Sequence, residues 1–242
     1  MAEGTHYYHK SGEPCYTVVG KNGKERAATL RDAREKDLLP SVTTIMSCAS
    51  RPQLEAWMID QAILASMTLP RREGELEPDY IKRVKEDAKE TGRKAAERGT
   101  KIHAIIERGF NGESINGDGV FYQIAKEEIE KHCGSVKWEV EKSFAKEDYA
   151  GKIDLYSDEF ILDIKTTDKD LTNIKTYDSH AIQLAAYRDN HKCGILYIST
   201  LIDAKLIWIP EEDLVKGMKQ FTALKDYWYA TTGLITDSQL PE

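Results

Sequence analysis

The chain has 242 residues, 40% of them hydrophobic, which suffices for one sizeable core and by length alone allows one domain or two. Its 34 basic against 41 acidic side chains give a formal charge of −7, which excludes a general attraction to nucleic acid, so any such contact has to run over a local basic track. No run approaches the roughly 18 apolar residues of a membrane span, and the start, Met1 to Tyr8, has no apolar signal segment, so a cytoplasmic protein without membrane contact is expected.

In chain order, residues 1–40 are polar and predict a short β-hairpin, turning near Gly20 to Lys24, followed by a turn or small helix. Ser41, Thr43 or Thr44 can cap a short helix, and Pro52 can open the helix that carries Leu54, Trp57, Met58 and Ile63. Leu69 to Pro78 reads as a loop. A long helix follows from about Asp79 toward Gly99, where a break or bend is expected before the helix bearing His103. Asn111 to Gly119 is turn-rich, and Val120 to His132 has helical spacing through Ile124, Ala125, Glu128 and Ile129. From Val136 the pattern changes to short strands, then a helix from Ile174 to Asn190, strands at Gly194 to Thr200 and Lys205 to Ile209, and a terminal helix from Glu211 to Tyr229.

The strand Phe160-Ile161-Leu162-Asp163-Ile164-Lys165 carries the chemistry. Side chains alternate across a strand, so Phe160, Leu162 and Ile164 face one way while Asp163 and Lys165 share the other face. Burying those charges costs several kcal/mol per ion unless each has a partner or a metal. Asp154 lies on the preceding strand, Tyr149 to Tyr156, and an antiparallel pairing brings the two carboxylates side by side as half of an oxygen-rich metal site. Lys165 can then orient the attacking water or stabilise negative charge on a phosphate. An ion pair at a sheet edge, with Asp154 in a turn, is the plainer alternative. Gln183 and Tyr187 stand four apart on one helix, hence on one face, and His103 and Glu107 share that spacing on another.

Gly151-Lys-Ile-Asp154, Asp163-Ile-Lys165 and Gln183-Leu-Ala-Ala-Tyr187, preceded by Gly99-Thr-Lys-Ile-His103, resemble in order the motifs of RecB-type nucleases in the PD-(D/E)XK superfamily. Leu39-Pro-Ser-Val-Thr-Thr-Ile45 and Leu54-Glu-Ala-Trp57 are similar to the N-terminal region of phage-encoded members and of the mitochondrial genome-maintenance exonuclease, so the resemblance covers residues 38 to 200. Ile153 stands where the superfamily at large has proline, as is usual in the RecB branch. The resemblance implies an α/β fold with a restriction-endonuclease-like αβββαβ core, a mixed central sheet flanked by helices, and a helical N-terminal extension. It divides the chain into an extension at 1–98 packed on a nuclease core at 99–242, as one compact unit. It also implies that His103, Asp154, Asp163 and the Ile164 carbonyl hold Mg²⁺ or Mn²⁺, that Lys165 is catalytic, and that Gln183 and Tyr187 position the lysine and the scissile strand. Glu141, in Val140-Glu141-Lys142, sits where relatives carry an acidic residue on the first core strand.

Some relatives bind an iron–sulfur cluster through four cysteines. Cys15, Cys48, Cys133 and Cys193 are scattered here, with no Cys-x-x-Cys pair, so neither such a cluster nor zinc is expected and free thiols are. From Lys82 to Lys101 a basic run is interrupted by Glu86, Asp87, Glu90 and Glu97. Its spacing fits a solvated helix face, but it leads into His103, and Arg93, Arg98 and Lys101 are the candidate DNA contacts. Trp57, Trp138, Trp208, Tyr227 and Trp228 read as core or interface aromatics, and His6, His9, His132, His180 and His191 have no matching motif. The expected function is a metal-dependent DNA exonuclease of phage recombination, replication or repair, acting on single strands or duplex ends with a recombinase, annealing protein or helicase as its partner. A structure-specific endonuclease, a non-catalytic nucleic-acid-binding protein and an enzyme of small phosphate substrates are the alternatives.

Overall fold

The computed structural model describes residues 5–115, 117 and 119–234. Positions 1–4 of the expected leaderless start, and 116 and 118 of the expected turn, lie outside the described residues. The elements run β1 (Tyr7–Tyr8), β2 (Thr17–Val19), β3 (Glu25–Ala27), α1 (Leu30–Lys36), β4 (Leu39–Pro40), α2 (Val42–Met46), α3 (Pro52–Thr68), α4 (Glu77–Phe110) and α5 (Val120–Cys133). They continue with β5 (Glu139–Ala145), β6 (Ala150–Tyr156), β7 (Phe160–Thr167), α6 (Asp178–Tyr187), β8 (Lys192–Ser199), β9 (Asp203–Trp208) and α7 (Glu211–Thr232). Two compact units divide the chain. One holds residues 49–101; the other joins 5–48 to 102–234.

In the smaller unit, Pro52 occupies the first turn of α3, where its missing N–H removes no helical bond. Tyr80 Oη donates to Ser66 O at 2.9 Å and the Trp57 ring lies against Gly92, which fixes α3 beside the first part of α4. Glu75 and Arg83 pair at 2.9 Å across the intervening turn. Leu54, Met58, Ile59, Ile63, Leu64 and Met67 nevertheless remain exposed along α3.

The larger unit is built on a five-stranded mixed sheet in the order β5-β6-β7-β8-β9, in which β7 and β8 are parallel and the other neighbours antiparallel. Ile161, Cys193, Ile195 and Tyr197 turn toward residues of α2, α6 and α7 on one face. Leu162, Ile164, Leu196 and Ile198 turn toward Ile102 and Ile106 of α4 and Ala125 and Ile129 of α5 on the other. The alternation read along Phe160–Lys165 is the one observed. Gly217 lets α7 close on α6, because a Cβ there would stand 2.6 Å from the Ala181 carbonyl oxygen. Ser41 caps α2 by accepting from Thr44 N–H at 3.0 Å.

Three expectations need correction. No break falls at Gly99: α4 is one continuous helix of 34 residues, since a single interior glycine costs only about 1 kcal/mol. The helix expected over Ile174 to Asn190 is shorter, because the chain before it is held in turns, His180 Nδ1 accepts from Tyr177 N–H at its start, and Arg188 leaves it in extended conformation to pair with Glu211. The boundary expected at 98/99 is replaced by the division above. Residues 5–48 join the sheet unit because Tyr7 and Tyr8 pair with Pro40 and Leu39, Ser41 bridges to Ala150 of β6, and Arg34 donates to the Thr232 carbonyl.

Candidate functional site

The strands part at the two aspartates. Pairing of β6 with β7 runs through Tyr156↔Ile161 and Leu155↔Leu162, and the next rung in that register, Asp154 opposite Asp163, is missing. In its place the Asp154 side chain enters the gap, and Oδ2 accepts from Ile164 N–H at 2.7 Å. At the same level β5 and β6 exchange faces. Val140 and Leu155 belong with the α5-side core, whereas Phe144 and Ile153 belong with the α6-side core. The exchange falls at Glu141, whose φ of +54° lies in the left-handed region and costs about 1–3 kcal/mol in a non-glycine residue. Glu141 lies across from Asp154, between the pairs Val140↔Leu155 and Lys142↔Ile153, and its carboxylate pairs with Lys152.

A hydrogen-bonded set fills the α6 side of this opening. Gln183 Nε2 donates to Asp163 Oδ1 and to Tyr187 Oη, both at 2.9 Å, and Gln183 Oε1 accepts from Lys165 Nζ at 3.5 Å. This orientation of the amide matches its neighbours, with NH₂ on the carboxylate and the carbonyl on the ammonium. Lys165 Nζ also stands 2.8 Å from Asp163 Oδ2 as an ion pair, and that oxygen is buried without a hydrogen bond. From the other side of the sheet, His103 Nδ1 approaches Asp154 Oδ2 at 3.8 Å.

The electrostatics follow from burial. The Asp154 carboxyl is pushed up to about 6, first by desolvation and then by repulsion from Asp163, with His103, Lys165 and the Ile164 N–H opposing. Its side chain keeps 19% exposure against 5% for Asp163, so solvent softens the effect. Burial, with Asp163 second, raises the Tyr187 phenol far above its ordinary range. His180, three residues before Gln183 and on the same helix face, is held down at about 4 by desolvation and by Lys165.

The residues expected to converge thus stand as two pairs, His103 with Asp154 and Asp163 with Lys165. Among the described residues, no group of three or more His, Cys, Asp or Glu side chains is assembled as a metal site. The donor chemistry still fits a hard divalent cation, for it offers two mutually repelling carboxylates, one orphaned buried oxygen and an imidazole. Arg93, Arg98 and Lys101 belong to the helical unit, where Arg93 is already paired with Glu90 and Glu97 of its own helix.

Sequence reasoning missed the sheet-breaking role of Glu141, the buried His180, and the tyrosines of the N-terminal segment. For His180 a signal existed, since 180, 183 and 187 follow helical spacing along one face. The four cysteines are free thiols.

No protein-family model and no curated protein matches the chain. The crystal structure of SSO0001 aligns with 78% of this chain and 98% of its own, at 15% identity and a TM-score of 0.32, which is too loose to carry an argument. The described fold is a mixed α/β one, and no helix among the described residues is long and apolar enough to cross a membrane.

Proposed function

We propose that this chain is a divalent-metal-dependent nuclease with a restriction-endonuclease-like core, hydrolysing phosphodiester bonds of DNA as an exonuclease in recombination, replication or repair. The order α5, β5, β6, β7, α6, β8 supports the αβββαβ reading. The observation that carries the function is the set Asp163–Lys165–Gln183–Tyr187, linked by hydrogen bonds and an ion pair at the point where β6 and β7 part around Asp154. An ion pair at a sheet edge needs neither the parted strands nor a glutamine joined to both of its members.

His103, Asp154, Asp163 and the Ile164 carbonyl would hold Mg²⁺ or Mn²⁺, whose chemistry is to neutralise charge on the phosphate and to make bound water acidic. Lys165 holds a proton and a positive charge beside Asp163, where it can orient a water or stabilise a developing oxyanion. Gln183 fixes both partners, and Tyr187 accepts from Gln183, which leaves its own O–H proton to donate. Glu141, paired with Lys152, shapes the opening opposite Asp154.

A second reading, nucleic-acid binding without catalysis, is favoured by the absence of an assembled three-ligand group among the described residues. One experiment separates the two: end-labelled linear and circular DNA, single- and double-stranded, incubated with the protein in Mg²⁺, Mn²⁺ or chelator. Metal-dependent loss of label from linear DNA alone supports the exonuclease, cleavage of circles supports an endonuclease, and binding without cleavage in either metal overturns the enzyme.

A further inference from the structure

The N-terminal segment brings a second aromatic group to the same opening. Tyr8, buried in β1, packs on Ala150 at the start of β6, and its hydroxyl shares a 2.6 Å hydrogen bond with that of Tyr16. The next residue, Gly151, lies so close to Tyr187 that a Cβ would meet its ring at 3.1 Å, and Asp154 follows three positions on. Tyr16 is therefore anchored beside the candidate site, near enough for its phenol to raise that of Tyr187 further. Against it lies the His6 ring, 4.6 Å between centroids and tilted by 33°. Both residues are only partly buried. A core aromatic pair would be closed off. This one is fixed on its inner side by Tyr8 and keeps part of its surface for solvent.

We propose that the paired His6 and Tyr16 rings form a shelf on which one nucleobase of a single strand stacks as its backbone enters the Asp154–Asp163 site. The inference rests on the nucleic-acid substrate proposed above and deepens it, assigning the substrate an unpaired base next to the reacting phosphate. Stacking tolerates any base, because every base presents a π-face, so the shelf grips a strand without reading its sequence. It also suits an acidic chain, since the contact needs no added positive charge.

The test uses labelled single-stranded oligonucleotides, each with one abasic residue at a successive position. Binding is read by fluorescence anisotropy in chelator, and cleavage separately in Mn²⁺. For the parent protein, one abasic position is expected to weaken binding about tenfold, the effect of one lost stacking contact. Tyr16→Leu is expected to bind the intact strand about as weakly as the parent binds that abasic one, with no further loss on combining the two. Tyr16→Phe keeps the ring while losing the bond to Tyr8, and is expected to retain the parent's discrimination. A thermal melt of Tyr16→Leu matching the parent ties its loss to the ring. If Tyr16→Phe has lost the discrimination as fully as Tyr16→Leu, or if parent and Tyr16→Leu respond alike at every position, the shelf is wrong. Discrimination in binding without cleavage in Mn²⁺ removes the nuclease and keeps the shelf; cleavage without discrimination does the reverse.

Discussion

On its β8 edge, strand β7 is paired along all eight residues, from Phe160↔Lys192 to Thr167↔Ser199, whereas on its β6 edge only Leu155↔Leu162 and Tyr156↔Ile161 remain. The same strand is thus scaffold on one side and opening on the other. Along the closed edge, apolar residues fill both layers, Leu196 on one face and Ile195 on the other, and backbone groups satisfy one another. Along the open edge a carboxylate replaces a rung, a left-handed glutamate turns the strand beyond β6, and Lys165 Nζ stands 2.8 Å from Asp163 Oδ2. Stability and the proposed chemistry therefore fall on opposite edges of one strand, and substitutions are expected to separate them.

The largest effect is expected at the closed edge. Leu196→Ala removes a fully buried side chain and is expected to cost about 2–5 kcal/mol in urea unfolding. Asp154→Asn, on the open edge, keeps an acceptor for the Ile164 N–H and relieves repulsion with Asp163, so stability is expected to hold or rise. A loss for Asp154→Asn as large as that for Leu196→Ala would show that the open edge is scaffold after all.

Next comes Lys165→Ala, expected to slow metal-dependent cleavage about 10²- to 10³-fold while metal and DNA binding persist. Asp163→Asn is expected to weaken metal binding and cleavage together. Single-turnover rates in Mg²⁺ and Mn²⁺ check both, and an unchanged rate for Lys165→Ala removes its catalytic role.

The contrast between the edges also explains what the sequence discloses. Alternation along Phe160–Lys165 and the four-residue step from Gln183 to Tyr187 are local, and both are read correctly from residue types alone. Ser41 and Pro52 announce their helix starts for the same reason. Hidden were the features set by distant chain. The Tyr7–Pro40 pairing and the bridge from Ser41 to Ala150 draw residues 5–48 onto the sheet, yet nothing in those two-residue strands names a partner. Gly99 reads as a break because propensity is local, while helix continuity is decided by both flanks together. His180 looks like any helical histidine until Tyr197 and the charged strand close over it.

That burial gives a pH dependence with a definite sign. His180 has a folded pKa of about 4 against an ordinary 6.5, so between those values the unfolded chain binds more protons than the folded one. Stability is expected to fall as pH drops through that window and to level below about 4, with an upper bound near ~3 kcal/mol. Acidic groups also titrate there, so the informative quantity is the difference between the parent and His180→Gln in urea midpoints at pH 7 and pH 4.5. A smaller acid loss in the variant is expected; equal losses remove His180 as the cause.

The smallest expected effect concerns substrate capture by the helical unit. Phosphate contacts release counterions, and each contact contributes about 0.7–0.9 to the slope of log affinity against log salt. Arg93 is held by Glu90 and Glu97, so much of its charge is already balanced within the helix. Arg98 and Lys101 are exposed on the same helix. Neutralising Arg98 and Lys101 together is expected to lower the slope by about 1.4–1.8, whereas Arg93→Ala alone is expected to change it by less than one contact's worth. Titrations of labelled DNA at several salt concentrations check this. If all three substitutions leave affinity and slope unchanged, the basic run is a solvated helix face, and DNA reaches the parted strands without it.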